Sequence, residues 1–181
     1  MSRSHTFVAL LRGINVGKAK RVSMEDLRAV LAGLGHSDVR TLLNSGNVVF
    51  SSARALPKDA ASRVQKAVAE KTGVSSRVTI VSAEALSAIV EECPLGKVAT
   101  NPSLLVVWVP ASPSDLERVR PFLKRKWAPE AFAVGSLAAY VWCPGGSIES
   151  PLANAVAREL GDAVTARNIA TMTKLLQLAR A

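Results

Sequence analysis

Apolar positions fall into short runs and helical stripes whose breaks mark out the elements. Phe7 to Leu11 is a continuous apolar run and predicts a strand. Met24, Leu27, Leu31 and Leu34 recur at helical spacing and predict a helix over 24–34. Ser23 with Asp26 three residues on opens that helix, and Gly35 closes it. Val39 to Leu43 and Val48 to Phe50 flank Asn44-Ser45-Gly46-Asn47, a turn composition that predicts a hairpin. Pro57 starts a second helix with Ala60, Val64, Ala67 and Val68 inward and an end near Gly73, and Arg77 to Val81 makes another strand. The order is β-α-β-β-α-β, the split pattern of a ferredoxin-like sandwich.

The second half repeats most of this rhythm. Ser82 opens a helix with Leu86, Ile89 and Val90 together, ended by Pro94-Leu95-Gly96. Leu104 to Val109 is nearly all apolar and predicts a strand buried on both faces. Ser112-Pro113 starts a helix that places Leu116, Val119, Leu123 and Trp127 on one face. Strands around Phe132 to Val134 and Leu137 to Cys143 follow, then helices over Pro151 to Leu160 and Ile169 to Ala179. The pattern is β-α-β-β-α finishing in a helix rather than a strand. The expectation is therefore an α+β chain of two ferredoxin-like subdomains in tandem, residues 1–81 and 82–181, the second ending in an extra helix.

Composition adds two constraints. At 181 residues, with 49% hydrophobic and 20% charged, the chain can bury a core and does not read as disordered. The net charge of +9 is lopsided: residues 1–90 carry thirteen Lys/Arg against six Asp/Glu, and residues 91–181 ten against eight. Such a field attracts phosphates, nucleic acid or acidic surfaces. Cys93 and Cys143 lack metal or redox spacing and suit buried thiols in a reducing compartment. No run approaches a membrane span or a secretory signal, so the expected location is cytoplasmic.

Charge draws attention to residues 12–21. Arg12, Lys18, Lys20 and Arg21 surround Gly13, Asn15 and Gly17 between the first strand and the first helix. Exposed amides and the positive end of a helix favour an anion there. The loop is not a Walker motif: three residues separate the glycines, and Ala19 follows Lys18 where a hydroxyl is needed for magnesium. Arg167, ahead of the last helix, is a fork-shaped donor for phosphate or carboxylate, while Asn168 suits a cap. The basic run Arg118, Arg120, Lys124, Arg125 and Lys126 reads as a solvated helix face. Tyr140, Trp142 and Trp108 read as core rather than a base-stacking sheet. Catalytic groups are sparse, with His5 and His36 the only histidines and no carboxylate pair at metal-ligand spacing. No cofactor or metal is expected.

The string Val8-Ala9-Leu10-Leu11-Arg12-Gly13-Ile14-Asn15-Val16-Gly17, then Met24, Leu27 and Arg28, then Asn44-Ser45-Gly46-Asn47-Val48-Val49-Phe50, resembles the bacterial family called domain of unknown function 1697. Thr165-Ala166-Arg167-Asn168, Thr171 and Lys174-Leu175 are similar to that family's closing motif, so the likeness runs over essentially the whole chain. The resemblance implies two ferredoxin-like α+β subdomains and no particular activity. It also carries Arg12, Gly13, Asn15, Gly17, Ser45, Gly46, Asn47, Arg167, Asn168 and Thr171 over as site candidates. Three positions depart from the family: Lys18 stands for a glycine, no lysine lies near Pro151, and Ile169 stands for a tryptophan. The last two weaken a basic C-terminal pocket and a stacking role at the final helix.

These features lead to a protein that binds a phosphate-bearing ligand, nucleic acid ahead of a nucleotide or metabolite. Two other readings stay open. One is an enzyme on a small anionic substrate, with Arg12 and Arg167 as clamps and Ser45, Asn15 or His36 near the chemistry. The other is a protein–protein adaptor with a basic face.

Overall fold

The computed structural model describes residues 5–19 and 21–181. The elements run β1 (His5–Leu11), α1 (Met24–Gly33), β2 (Ser37–Leu42), β3 (Asn47–Ser52), α2 (Ala60–Thr72), β4 (Val78–Ser82) and α3 (Ala83–Glu91). After them come β5 (Leu105–Pro110), β6 (Ala131–Val134), β7 (Ala139–Trp142), α4 (Pro151–Leu160), β8 (Val164–Asn168) and α5 (Ile169–Arg180). Contacts divide the chain into two units, one taking residues up to Glu84 together with Leu175–Ala181, the other Ala85–Lys174. The architecture is α+β, with two four-stranded antiparallel sheets.

The first sheet has the order β2-β3-β1-β4. Its register places Phe7 opposite Phe50, whose rings stack at 5.8 Å, and Leu10 opposite Asn47. One face carries Ala9, Leu11, Val48 and Phe50, which pack with Leu27 and Leu31 of α1 and Val64 and Val68 of α2. Each large side chain fully buried there contributes about 2 kcal/mol. Ser23 caps α1 by accepting the Asp26 amide, and Gly73 ends α2 in the left-handed conformation, as the sequence predicts. Leu34 departs from prediction. It is the α1 cap residue and 37% exposed, and Val30 takes its place in the core.

The second sheet has the order β6-β7-β5-β8. Leu105, Val106, Val107 and Val109 are all buried, so β5 is the interior strand its apolar run predicts. Val106, Ala139 and Val141 pack with Val156 and Leu160 of α4. Tyr140 is buried too, and its hydroxyl donates to the Ile89 carbonyl at 2.7 Å. Burial pushes the phenol pKa well above its ordinary value. Tyr140 and Trp142 are core residues, and the sheet offers them no stacking role.

Two expectations for this unit are corrected. The helix expected from Ser112 to Trp127 is instead a pair of 3₁₀ segments, Pro113–Arg118 and Arg120–Lys124. Pro121 lacks the amide that a continuing helix needs and clashes with the preceding turn. The buried residues there are Leu116, Val119 and Phe122, while Leu123 is 48% exposed. The basic run is therefore not a helix face. Within it, Arg118 meets Glu159 at 3.6 Å, Arg120 meets Glu117 at 2.6 Å, and Arg125 lies over the Phe122 ring. The second half also does not lack its last strand, because residues 164–168 form β8 antiparallel to β5 ahead of the extra helix. No helix among the described residues is long and apolar enough to cross a membrane.

Candidate anion-binding site

The twelve residues 12–23 join β1 to α1. Their course is set by hydrogen bonds at both ends. The Arg12 amide donates to the Arg77 carbonyl at 2.8 Å, and the Ser76 hydroxyl donates to the Arg12 carbonyl at 2.8 Å. Asn15 closes the loop: its Nδ2 donates to the Val22 carbonyl at 2.8 Å, and its Oδ1 accepts the Val22 amide at 2.8 Å. The same Nδ2 also donates to the Asn44 carbonyl at 2.7 Å, so the loop is tied to the β2–β3 turn. Gly13, Asn15 and Gly17 all have positive φ, at 66°, 55° and 62°. Glycine and asparagine accept that conformation at least cost, which accounts for these residue types.

The turn is fixed from the other side. The Leu11 amide donates to the Gly46 carbonyl at 2.8 Å. A Cβ on Gly46 would stand 2.7 Å from Leu11 Cβ and 3.0 Å from Ile14 Cδ1. Asn47 is fully buried and donates to the Leu42 carbonyl and the Ser45 hydroxyl, both at 2.9 Å. Asn15, Gly46 and Asn47 thus hold the loop and turn together, and Ser45 supports Asn47.

What these residues present is an exposed rim. Val16, Gly17, Lys18, Ala19 and Arg21 are exposed, and Gly13 is exposed beneath them. No ion pair among the described residues engages Lys18 or Arg21. Lys20 lies outside the described residues. The start of α1 is less open than its dipole suggests. Ser23 Oγ takes the Asp26 amide at 2.9 Å and donates to Asp26 Oδ2 at 2.8 Å, so a carboxylate of the chain already sits at that end. Asp26 also meets Lys71 at 3.8 Å.

The C-terminal candidates belong to the second unit and divide into two kinds. Asn168 Oδ1 accepts the Thr171 amide at 2.8 Å and caps α5, and the Thr171 side chain is buried. Arg167 lies on β8 opposite Val107, where its Nη1 donates to the Ala166 carbonyl at 2.8 Å. Burial pushes its guanidinium pKa down to about 10. Residues 165–168 belong to strand β8, where the sequence predicts no strand ahead of the last helix. His36 stands apart from the loop's polar network, its ring 4.6 Å from Phe50 and its Nδ1 buried without a partner. A cleft of about 570 Å³ between residues 126–130 and 144–151 was not foreseen. Its Glu130 is committed to the α4 N-terminus, accepting the Leu152 amide at 3.1 Å. No group of three or more metal-ligating side chains is present among the described residues.

A further feature escaped sequence reasoning. Leu43 has φ +58° and is 55% exposed. A signal was available in the adjacent Leu42 and Leu43, which cannot both face one side of a strand.

A family model described as "Protein of unknown function (DUF1697)" matches residues 4–140, more than half of the chain. The chain belongs to that family. The DUF1697 match takes in the glycine-rich loop and the hairpin turn and stops short of residues 165–175. Among curated proteins no sequence matches. The structure is similar to that of SP0830, a conserved bacterial protein from Streptococcus pneumoniae. The TM-score is 0.78 at 21% identity, over 98% of this chain and 99% of that one. At that identity the likeness speaks for the fold and not for an activity.

Proposed function

We propose that this protein binds a phosphate-bearing polyanion, nucleic acid before a nucleotide or metabolite, through residues 12–21 and the adjoining turn. The observation that carries this is the Asn15 tether, which closes the loop on itself and ties it to the turn, with Lys18 and Arg21 exposed on that loop. Positive φ at residues 13, 15 and 17, but not at 14 and 16, supports it. Two of these positions are glycines without a side chain to block a ligand, so backbone amides of the loop are open to close approach. The basic surplus of the first ninety residues supplies attraction at long range.

Each sheet with its crossovers is read as a ferredoxin-like subdomain, residues 1–81 and 82–181 in tandem, on the strength of the shared strand order. The two free cysteines suit a cytoplasmic protein. Arg167 remains a ligand candidate by its chemistry. Asn15 is a poor one for catalysis, because both ends of its amide are engaged by backbone.

The test is fluorescence anisotropy of short labelled RNA and DNA, single- and double-stranded, titrated from low to physiological salt. Replacing Lys18, Lys20 and Arg21 with alanine is expected to weaken binding across sequences and flatten the log–log salt slope by up to about three units. A slope that does not change removes the loop from the interface.

A further inference from the structure

Two exposed aliphatic side chains lie on the basic loop and on the turn tied to it. Val16 is 70% exposed and Leu43 is 55% exposed. Each lies one residue from the Asn15–Asn44 hydrogen bond, so the tether brings them to adjoining loops of one unit. Neither serves the core. Leu43 also holds φ +58°, a conformation that asparagine or glycine adopts with less strain. Folding alone favours another residue at that position, and a strained exposed leucine points to use outside the fold.

The surroundings choose among occupants. Lys18 and Arg21 favour a polyanion, and Asn44 and Ser45 in the exposed turn offer polar groups beside Leu43. A lipid bilayer accepts leucine and valine but leaves an inserted asparagine amide without partners. The edges of base pairs can satisfy it. Single-stranded nucleic acid is held largely by stacking on aromatic rings. The first unit's Phe50 is fully buried and Phe7 packs against the same core, so the loops gain no stacking platform from them. Aliphatic wedges flanked by Arg, Lys and Asn suit the minor groove of a duplex, where they prise a base step open.

We infer that the paired loops bind double-stranded DNA, with Val16 and Leu43 wedged at a base step and Asn44 against base edges. This rests on the nucleic-acid reading of the same site. The probe is a short DNA duplex carrying one 2-aminopurine at a TA step, a step that unstacks easily. Anisotropy follows binding, and 2-aminopurine emission follows unstacking.

Saturation with the wild-type protein is expected to raise the emission. The Val16→Ser/Leu43→Asn variant is expected to lose that rise and bind several-fold more weakly, with an unchanged salt slope. Asn at 43 suits the positive φ, so Leu43→Asn alone keeps the thermal midpoint at or above the wild-type value. The Lys18→Ala/Lys20→Ala/Arg21→Ala variant is expected to flatten the slope yet raise the emission once saturated. Binding without a rise, or a rise retained by the Val16/Leu43 variant, overturns the wedge and leaves nucleic-acid binding standing. Failure to bind any nucleic acid at low salt, or capture by anionic vesicles alone, overturns both.

Discussion

Both units order their strands in the same way, yet they leave the first strand differently. β5 passes through Ala111 and Ser112 alone before the 3₁₀ segment at Pro113, whereas β1 is followed by residues 12–23 before α1. The hairpins that follow are equal in length, residues 43–46 against 135–138, but differ in conformation. The second closes with Gly135 donating to Ala138 at 2.9 Å, and among the described residues none of its four has positive φ. The first opens on Leu43 and ends on Gly46, both left-handed. A four-stranded sheet of this order therefore needs neither a long first connection nor a strained turn. The extra length and the strain are concentrated in the unit that carries most of the charge.

The contrast can be broken most severely at the turns. Gly46→Ala places a methyl against Leu11 and Ile14 at a positive φ, and should cost about 2–4 kcal/mol. Gly135→Ala meets the Tyr140 ring at 3.2 Å without a positive φ, and should cost less than about 1 kcal/mol. Urea denaturation followed by circular dichroism measures both, and equal losses would remove the distinction. A smaller effect is expected where each unit starts its first crossover. Ser23 caps α1 through its hydroxyl, while Ser112 makes no such bond. Ser23→Ala should lower stability by about 1 kcal/mol, and Ser112→Ala by a few tenths at most. A loss at Ser112 equal to that at Ser23 would show that the cap is not what separates them.

The smallest effect concerns acid. Both histidines, His5 and His36, lie in the first unit. Burial against Phe50 lowers the His36 pKa below its ordinary 6.5. As pH falls through 6.5, the unfolded chain takes up a proton that the folded ring resists, so stability declines until the folded value is passed. Above that window the group contributes no slope. Replacing His36 with glutamine should flatten the stability profile between neutral and mildly acidic pH. A profile that the substitution leaves unchanged would assign the acid sensitivity elsewhere.

The layout of the first unit was legible because each element has its own punctuation. Ser23 with Asp26, Gly35, the Asn44–Asn47 turn and Gly73 all act within a few residues of where they stand. The second unit was misread where long-range pairing overrode local pattern. Val164-Thr165-Ala166-Arg167-Asn168 has too few apolar residues to announce a strand, and pairing with β5 makes it one. Pro121 was the stop signal that the apolar spacing of Leu116, Val119 and Leu123 concealed. The loop itself was visible through its glycines and charge. The division of labour inside it was not, since the bonds from Asn15 to Val22 and Asn44 depend on where β1 and the turn meet.

The distribution of aromatic residues between the units has a practical corollary. The three tryptophans, Trp108, Trp127 and Trp142, and the sole tyrosine, Tyr140, all fall between Ala85 and Lys174. Ultraviolet emission excited near 280 nm therefore comes from one unit alone, and the other is optically silent. The amide signal sums both. A difference between an emission melt and an amide melt would then be a direct readout of whether the chain unfolds as one cooperative body or as two. A single tryptophan substituted for Phe7 or Phe50 would give the silent unit a chromophore of its own.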